Sequence, residues 1–189
     1  SVYTKLVLVA TAVIILLSAG STLVLEWHNP DTLGNMPVWQ KILNAFFQAT
    51  TLRTAGFTAI DQGALSESTK ALSMIVMLIG GSSGSTAGGM KVVTMLVLFL
   101  FIWTRARGRQ TVCVFKRTIP EKQAMDAMTI AFIMVGLAVF GAVFISATNP
   151  VGFTDALFET VSALATVGLT AGVTPSLGLP AQLMIIVFM

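Results

Sequence analysis

Two short stretches decide the reading of this chain: Leu52-Arg53-Thr54-Ala55-Gly56-Phe57-Thr58 and Leu164-Ala165-Thr166-Val167-Gly168-Leu169-Thr170. They match at an offset of 112 residues, with Leu52 on Leu164, Thr54 on Thr166, Gly56 on Gly168 and Thr58 on Thr170. Phe46 and Phe158 match upstream at the same offset, and Met74–Met77 resembles Ile186–Met189 in character. Any two apolar helices look alike, so a repeat of apolar runs means little. A repeat of T-x-G-x-T after a short amphipathic segment is not explained by lipid burial.

Working outward, the segments around both stretches follow one order. Leu6–Leu25 is an apolar run of about the ~20 residues that cross a bilayer. Pro37–Thr51 is amphipathic and too short to span at about 1.5 Å per residue. The first T-x-G-x-T follows, then a polar link and an apolar stretch from about Thr69 to Trp103. In the second half, Ala124–Ala147 reads as a span ended by Thr148-Asn149-Pro150, Phe153–Leu164 as a short helix, and the residues after Pro180 as the start of another apolar stretch.

The stretch from Thr69 to Trp103 is too long for one span. Its centre is Gly80-Gly81-Ser82-Ser83-Gly84-Ser85-Thr86-Ala87-Gly88-Gly89, with five glycines and four hydroxyl residues in ten positions. Such a run makes a poor helix. It predicts a helix, a break inside the membrane, and a second helix from about Met90 to Thr104. Irregular backbone at that depth survives only buried in protein or lining a water-filled cavity.

Composition supports the membrane reading. Of 189 residues, 55% are hydrophobic and 10% charged, against about 25% charged in soluble domains. Six of the eleven Lys and Arg residues, Arg105, Arg107, Arg109, Lys116, Arg117 and Lys122, fall in one loop. The positive-inside rule makes loop 105–122 cytoplasmic and turns the two T-x-G loops outward. Cys113 is the single cysteine, so no internal disulfide forms. His28 is the single histidine, in a polar segment without a second ligand, which argues against metal chemistry. No cleavable signal peptide is evident, and the chain reads as part of something longer.

A dehydrated K⁺ requires oxygens to replace its water, and rings of backbone carbonyls can provide them. Turning successive carbonyls one way requires backbone angles that glycine adopts cheaply. Thr54, Ala55, Gly56 and Phe57, with Thr166, Val167, Gly168 and Leu169, are therefore the expected K⁺-coordinating filter segments. The threonines would add a hydroxyl or brace the strand from behind. The alternative, that Gly56 and Gly168 only cap helix ends, accounts less well for two loops in register. Four such loops are needed to ring an ion, and this chain supplies two.

Arg53 would repel K⁺ unless neutralised or turned away, and Glu159 on the second short helix is the expected partner. Lys91, at the lower edge of the break, is expected to cap loop carbonyls or line the pore, with snorkelling towards water as the alternative. Gly81-Ser82-Ser83-Gly84 matches the G-x-S-G pattern of rhomboid intramembrane proteases, but that chemistry requires a histidine base, and His28 lies far away in a polar loop. Gly84–Lys91 fails as a phosphate loop, because Gly89 is followed by Met90 rather than lysine. A non-transporting membrane scaffold is the remaining alternative.

Thr51-Leu52-Arg53-Thr54-Ala55-Gly56-Phe57, Gly84-Ser85-Thr86-Ala87-Gly88-Gly89-Met90-Lys91 and Phe158–Leu169 together resemble the Ktr/Trk/HKT superfamily of K⁺ transporters, and the last stretch looks most like the membrane subunit of the Ktr branch. The resemblance covers nearly the whole chain, as the third and most of the fourth of four repeats. It implies an all-α membrane protein of tandem helix–pore helix/filter loop–helix repeats, arranged as in voltage-gated-like K⁺ channel pores. Residues 1–109 would be one repeat, 110–122 the cytoplasmic basic loop and 123–189 the next repeat. It implies a gating loop at Gly80–Gly89, a homodimer in the cell membrane among lipid, regulation by a cytosolic nucleotide-binding ring, and an effect of Na⁺. No enzyme activity, organic cofactor or nucleic-acid partner is expected. The family's arginine near the gate in the last helix lies beyond the residues present.

Overall fold

The computed structural model describes residues 2–81, 88–108, 113–114, 117–118 and 121–189. Among them are seven α-helices: α1 (Val2–Glu26), α2 (Val38–Thr51), α3 (Glu67–Leu78), α4 (Val92–Ala106), α5 (Glu121–Thr148), α6 (Phe153–Leu164) and α7 (Leu179–Phe188). Two two-residue strands, β1 (Cys113–Val114) and β2 (Arg117–Thr118), pair antiparallel between α4 and α5. Both halves therefore run long helix, short helix, loop, inner helix.

Val7–Glu26 and Lys122–Thr148 are long and apolar enough to cross a membrane, while α4 and α7 are shorter apolar helices. Large apolar side chains stand exposed along α1, α5 and α7, among them Leu17, Phe132 and Val187. Such faces are too extensive to meet water. Ala138, Gly141 and Ala142 leave α5 thin enough for α6 to pack closely on it. α2 lies on α1, and α3 reaches across to α6. The main core joins Met74 and Met77 of α3 to Phe158 and Val161 of α6, closed by Leu52, Val167 and Leu169 from the two loops.

The link from outer to inner helix is held by one device in both halves. Glu26, at the end of α1, is fully buried. Its Oε1 accepts from the Ser66 backbone N–H (3.0 Å), the Ser66 hydroxyl (2.7 Å) and the Thr69 hydroxyl (2.5 Å). Its Oε2 accepts from Asn29 Nδ2 (2.6 Å) and the Thr32 hydroxyl (2.7 Å). Ser66 is the N-cap of α3, so the carboxylate also faces the positive end of that helix. In the second half Asn149, just after α5, accepts from the backbone N–H of Gly178 (2.6 Å), the N-cap of α7. Ser66 and Gly178 are 112 residues apart, the offset found in the sequence. Lys70 and Asp155 form an ion pair of 2.7 Å between α3 and α6.

The predicted break is present: α3 ends at Leu78 and α4 starts at Val92. Its two edges are stitched together. Met90 N–H donates to Leu78 O (2.9 Å), Gly80 N–H to Met90 O (2.8 Å) and Val92 N–H to Gly81 O (3.1 Å), with a parallel bridge between Ile79 and Met90. These bonds satisfy groups that two helix ends would otherwise leave unpaired.

Glu26 is surrounded only by donors, so Glu26→Ala strands several of them at a loss of about 1–3 kcal/mol. Glu26→Gln is expected to lower stability as well, since its amide N–H group would meet the amide of Asn29. Thermal unfolding of the purified complete gene product in detergent checks both; unchanged melting would refute the stapling role.

Candidate functional site

α6 ends in a geometry that threonine completes. Thr166 N–H donates to Ala163 O and Val167 N–H to Ser162 O, both at 2.9 Å. This is the paired-bond pattern in which the residue after the cap adopts the left-handed region, and Thr166 does so at φ 51°. Thr54 is also left-handed after α2, at φ 69°, although there the bonds run from Ala55 N–H to Thr51 O and Arg53 N–H to Thr50 O. A β-branched residue at positive φ is a genuine outlier, costing on the order of 1–3 kcal/mol. Gly56 (φ 75°) and Gly168 (φ 84°) follow two positions later, again left-handed. Ala55 and Val167 between them are not, so each loop alternates hand residue by residue. In an ordinary strand successive carbonyls point to opposite sides; backbone of alternating hand is able to turn them towards one side. Helix capping uses the threonine and leaves the positive φ of each glycine unaccounted for.

The two loops touch. A Cβ placed on Gly56 would lie 2.5 Å from the Val167 carbonyl oxygen and 3.8 Å from Gly168 Cα. No side chain fits there. A Cβ on Gly168 would meet open space. Along the second loop, burial alternates: Val167 and Leu169 are in the core, while Thr166, Gly168 and Thr170 are exposed. The first loop is more open, and Phe57 is 71% exposed where Leu169 is 2%.

Each loop is braced from behind. Thr51 donates its hydroxyl to Phe57 O (2.6 Å) and accepts from Phe57 N–H (2.8 Å). Gln48 and Gln62, both buried, exchange amide hydrogen bonds across the first loop (2.5 and 3.1 Å). Glu159 serves the second loop, accepting from the Thr170 and Thr174 hydroxyls and from Ala171 N–H (3.0 Å). Gln48 sits in an amphipathic helix that also carries Gln40, Lys41 and Asn44, so neither member of the amide pair stood out in the sequence.

Arg53 and Glu159 do not pair. The Arg53 Nη2 points instead to Gly80 O (3.4 Å), at the near edge of the break, because Glu159 is occupied in holding its own loop. At the far edge, Gly88 N–H donates to the Thr166 hydroxyl oxygen (2.9 Å). Gly80 and Gly88 also press together: a Cβ on Gly80 would lie 2.0 Å from Gly88 O. Gly89 takes φ 70°, and Lys91 occupies the extended N-cap position of α4, partly buried. Gly80 and Gly88 are thus brought against the two loops, with Gly81, Gly89 and Lys91 beside them in the chain; Ser82, Ser83, Gly84, Ser85, Thr86 and Ala87 lie outside the described residues. No group of three or more His, Cys, Asp or Glu able to hold a metal occurs among the described residues.

Comparison with known proteins gives the family and the overall fold. Residues 2–189 match the family described as TrkH, cation transport protein. The chain belongs to the TrkH family of cation transport proteins. It is 36% identical over 188 residues to the Ktr system potassium uptake protein B of Vibrio alginolyticus, covering all of this chain and 41% of that protein. It is 34% identical over 189 residues to the protein of the same name from Bacillus subtilis strain 168, covering 100% of this chain and 42% of that one. It is 35% identical over 193 residues to the potassium/sodium uptake protein NtpJ of Enterococcus hirae, covering 100% of this chain and 43% of that one. The fold is similar to the crystal structure of the potassium transporter TrkH from Vibrio parahaemolyticus, with TM-score 0.75 and 22% identity over 95% of this chain and 40% of that one. The chain spans about two fifths of the length of these relatives. Its relatives are transporters rather than enzymes, which removes the rhomboid-type alternative, and the family together with the two long apolar helices makes this a membrane protein.

Gly56→Ala combines positive φ with a collision against the Val167 carbonyl, whereas Gly168→Ala meets only the backbone penalty, about 1–2 kcal/mol. Thermal melting of the purified complete product is expected to fall much further for Gly56→Ala. Equal losses would show that the two loops are not in contact.

Proposed function

We propose that this chain forms part of a pore for potassium uptake across the cell membrane, with Thr54–Phe57 and Thr166–Leu169 as two of its filter segments. The observation that carries this is the pair of touching loops with alternating backbone hand. Carbonyls turned to one side in each loop can replace the hydration shell of K⁺. The C-terminal ends of α2 and α6, which lead into the loops, favour a cation there. The names of the relatives support K⁺ as cargo, and the potassium/sodium uptake protein among them supports an effect of Na⁺.

Two further filter segments complete the ring, so residues 1–109 and 123–189 act as tandem pore repeats, third and fourth of four, joined by the basic loop 110–122. Loop 105–122 faces the cytoplasm and the filter loops face outward. The exposed Phe57 is then covered by a neighbouring repeat. The glycine-rich break, Gly80–Gly89, lies beneath the filter as the barrier to be moved for conduction, and Lys91 at its edge adds positive charge to that barrier. The assembled protein is a homodimer in lipid, controlled by a cytosolic nucleotide-binding ring.

The test is growth on limiting K⁺, with Rb⁺ uptake, in cells lacking their own K⁺ uptake and carrying the complete gene product. Rescue by the natural sequence and its loss in Gly168→Ser at equal membrane abundance are expected. Abundant protein without Rb⁺ uptake would favour a scaffold. Lys91→Gln is expected to raise Rb⁺ flux, and unchanged flux would remove Lys91 from the barrier.

A further inference from the structure

We propose that Arg53 and Thr166 are positioning residues that tether the base of the broken inner helix to both filter loops, and that the ion preference of the filter depends on those two tethers. The inference rests on the filter reading above and deepens it.

Arg53 stands immediately before Thr54 but reaches 27 residues along the chain to Gly80 O. Among the described residues no carboxylate lies within ion-pair distance of it, and its Nε is buried without a partner. A desolvated guanidinium normally pairs with a carboxylate. Here it reaches Gly80 O, two residues past the last residue of α3 and near the negative end of that helix. The break exposes that end inside the protein, so the cation and the helix terminus compensate each other. The same orientation takes the charge away from the Thr54–Phe57 carbonyls.

Thr166 approaches from the other side. Its hydroxyl oxygen accepts from Gly88 N–H. A Cβ on Gly88 would lie 2.3 Å from that oxygen and 2.7 Å from Ala165 O, so only glycine permits the contact. Gly80 and Gly88 are themselves pressed together and stitched through Met90. The two tethers therefore meet at one hydrogen-bonded junction, Arg53 by its acceptor and Thr166 by its donor. Each is adjacent to, or is, a left-handed threonine that persists only where surrounding structure over-determines it. Loosening either tether relaxes a filter threonine and, with it, the spacing of the carbonyls that select the ion.

The experiment measures inhibition of Rb⁺ uptake by K⁺ and by Na⁺ in the complete gene product, comparing Arg53→Gln, Arg53→Lys, Thr166→Val, Thr166→Ser, the Arg53→Gln/Thr166→Val pair and Gly56→Ala. Arg53→Gln is expected to lower K⁺-over-Na⁺ preference on the order of tenfold, the size of one lost hydrogen bond to a charged group. Thr166→Val, which keeps shape but loses the acceptor, lowers it less. Lys and Ser, which keep a donor and an acceptor, retain most of the preference. The double variant is expected to match the worse single one, because both act through one point. Wild-type preference in Arg53→Gln and Thr166→Val, with uptake abolished in Gly56→Ala, overturns the tethers and leaves the filter standing. Strictly additive losses also overturn them. Normal uptake in Gly56→Ala overturns the filter reading itself.

Discussion

The contact between Gly56 and the Val167 carbonyl sets the spacing on which the remaining architecture depends. A glycine is required there twice over, by its positive φ and by the absence of room for a Cβ. With the loops that close, the helices leading into them cannot pack independently. α6 is drawn onto α5 by Ala138, Gly141 and Ala142, and α3 onto α6 by the methionine-lined core and the Lys70–Asp155 pair. The loops are thus the tips of a scaffold held from behind, which is how strained backbone is kept in place. The braces differ in chemistry, a glutamine pair for one loop and a carboxylate gathering hydroxyls for the other, yet each satisfies polar groups that burial would otherwise leave costly.

Burial explains the form those braces take. Buried backbone groups have no water to turn to. The break between α3 and α4 meets that demand by pairing its own edges, and the helix links meet it by lending a side-chain oxygen to an N-cap N–H. Glu26 and Asn149 do this at equivalent places although the connecting segments differ in length. One link runs through a long polar turn with Asn29 and Thr32, the other through Pro150 directly into α6. The conserved quantity between the halves is the capping bond rather than the residue that makes it.

Much of this was legible in the sequence because it rests on length and hydropathy. Phe153–Leu164 is helical over the predicted residues, and the other helices lie within a few residues of their expected bounds. α4 starts at Val92 rather than Met90 because both backbone groups of Met90 are engaged by Leu78 and Gly80. The glycines of the T-x-G loops announced themselves by repetition. The left-handed threonines did not, since threonine disfavours that conformation and only tertiary contacts enforce it. The Arg53–Glu159 pairing failed for a related reason. Opposite charge on neighbouring elements predicts attraction but not direction, and Glu159 already has three donors beside it, while Arg53 finds the Gly80 carbonyl, presented only because the inner helix is broken.

That break accounts for the clearest difference between two otherwise matched loops. Arg53 and Ala165 are equivalent at the 112-residue offset. The break presents a carbonyl, Gly80 O, to the first loop and an N–H, from Gly88, to the second. The first loop therefore requires a long donor, and arginine supplies one. At the second loop the approach is so close that Ala165 O lies 2.7 Å from where a Gly88 Cβ would sit, and Ala165 is itself fully buried. An arginine side chain has no room there, and an alanine at position 53 would leave the Gly80 carbonyl without that donor. An element that is asymmetric, set against two loops that are nearly symmetric, forces the loops to diverge at the one position each presents to it.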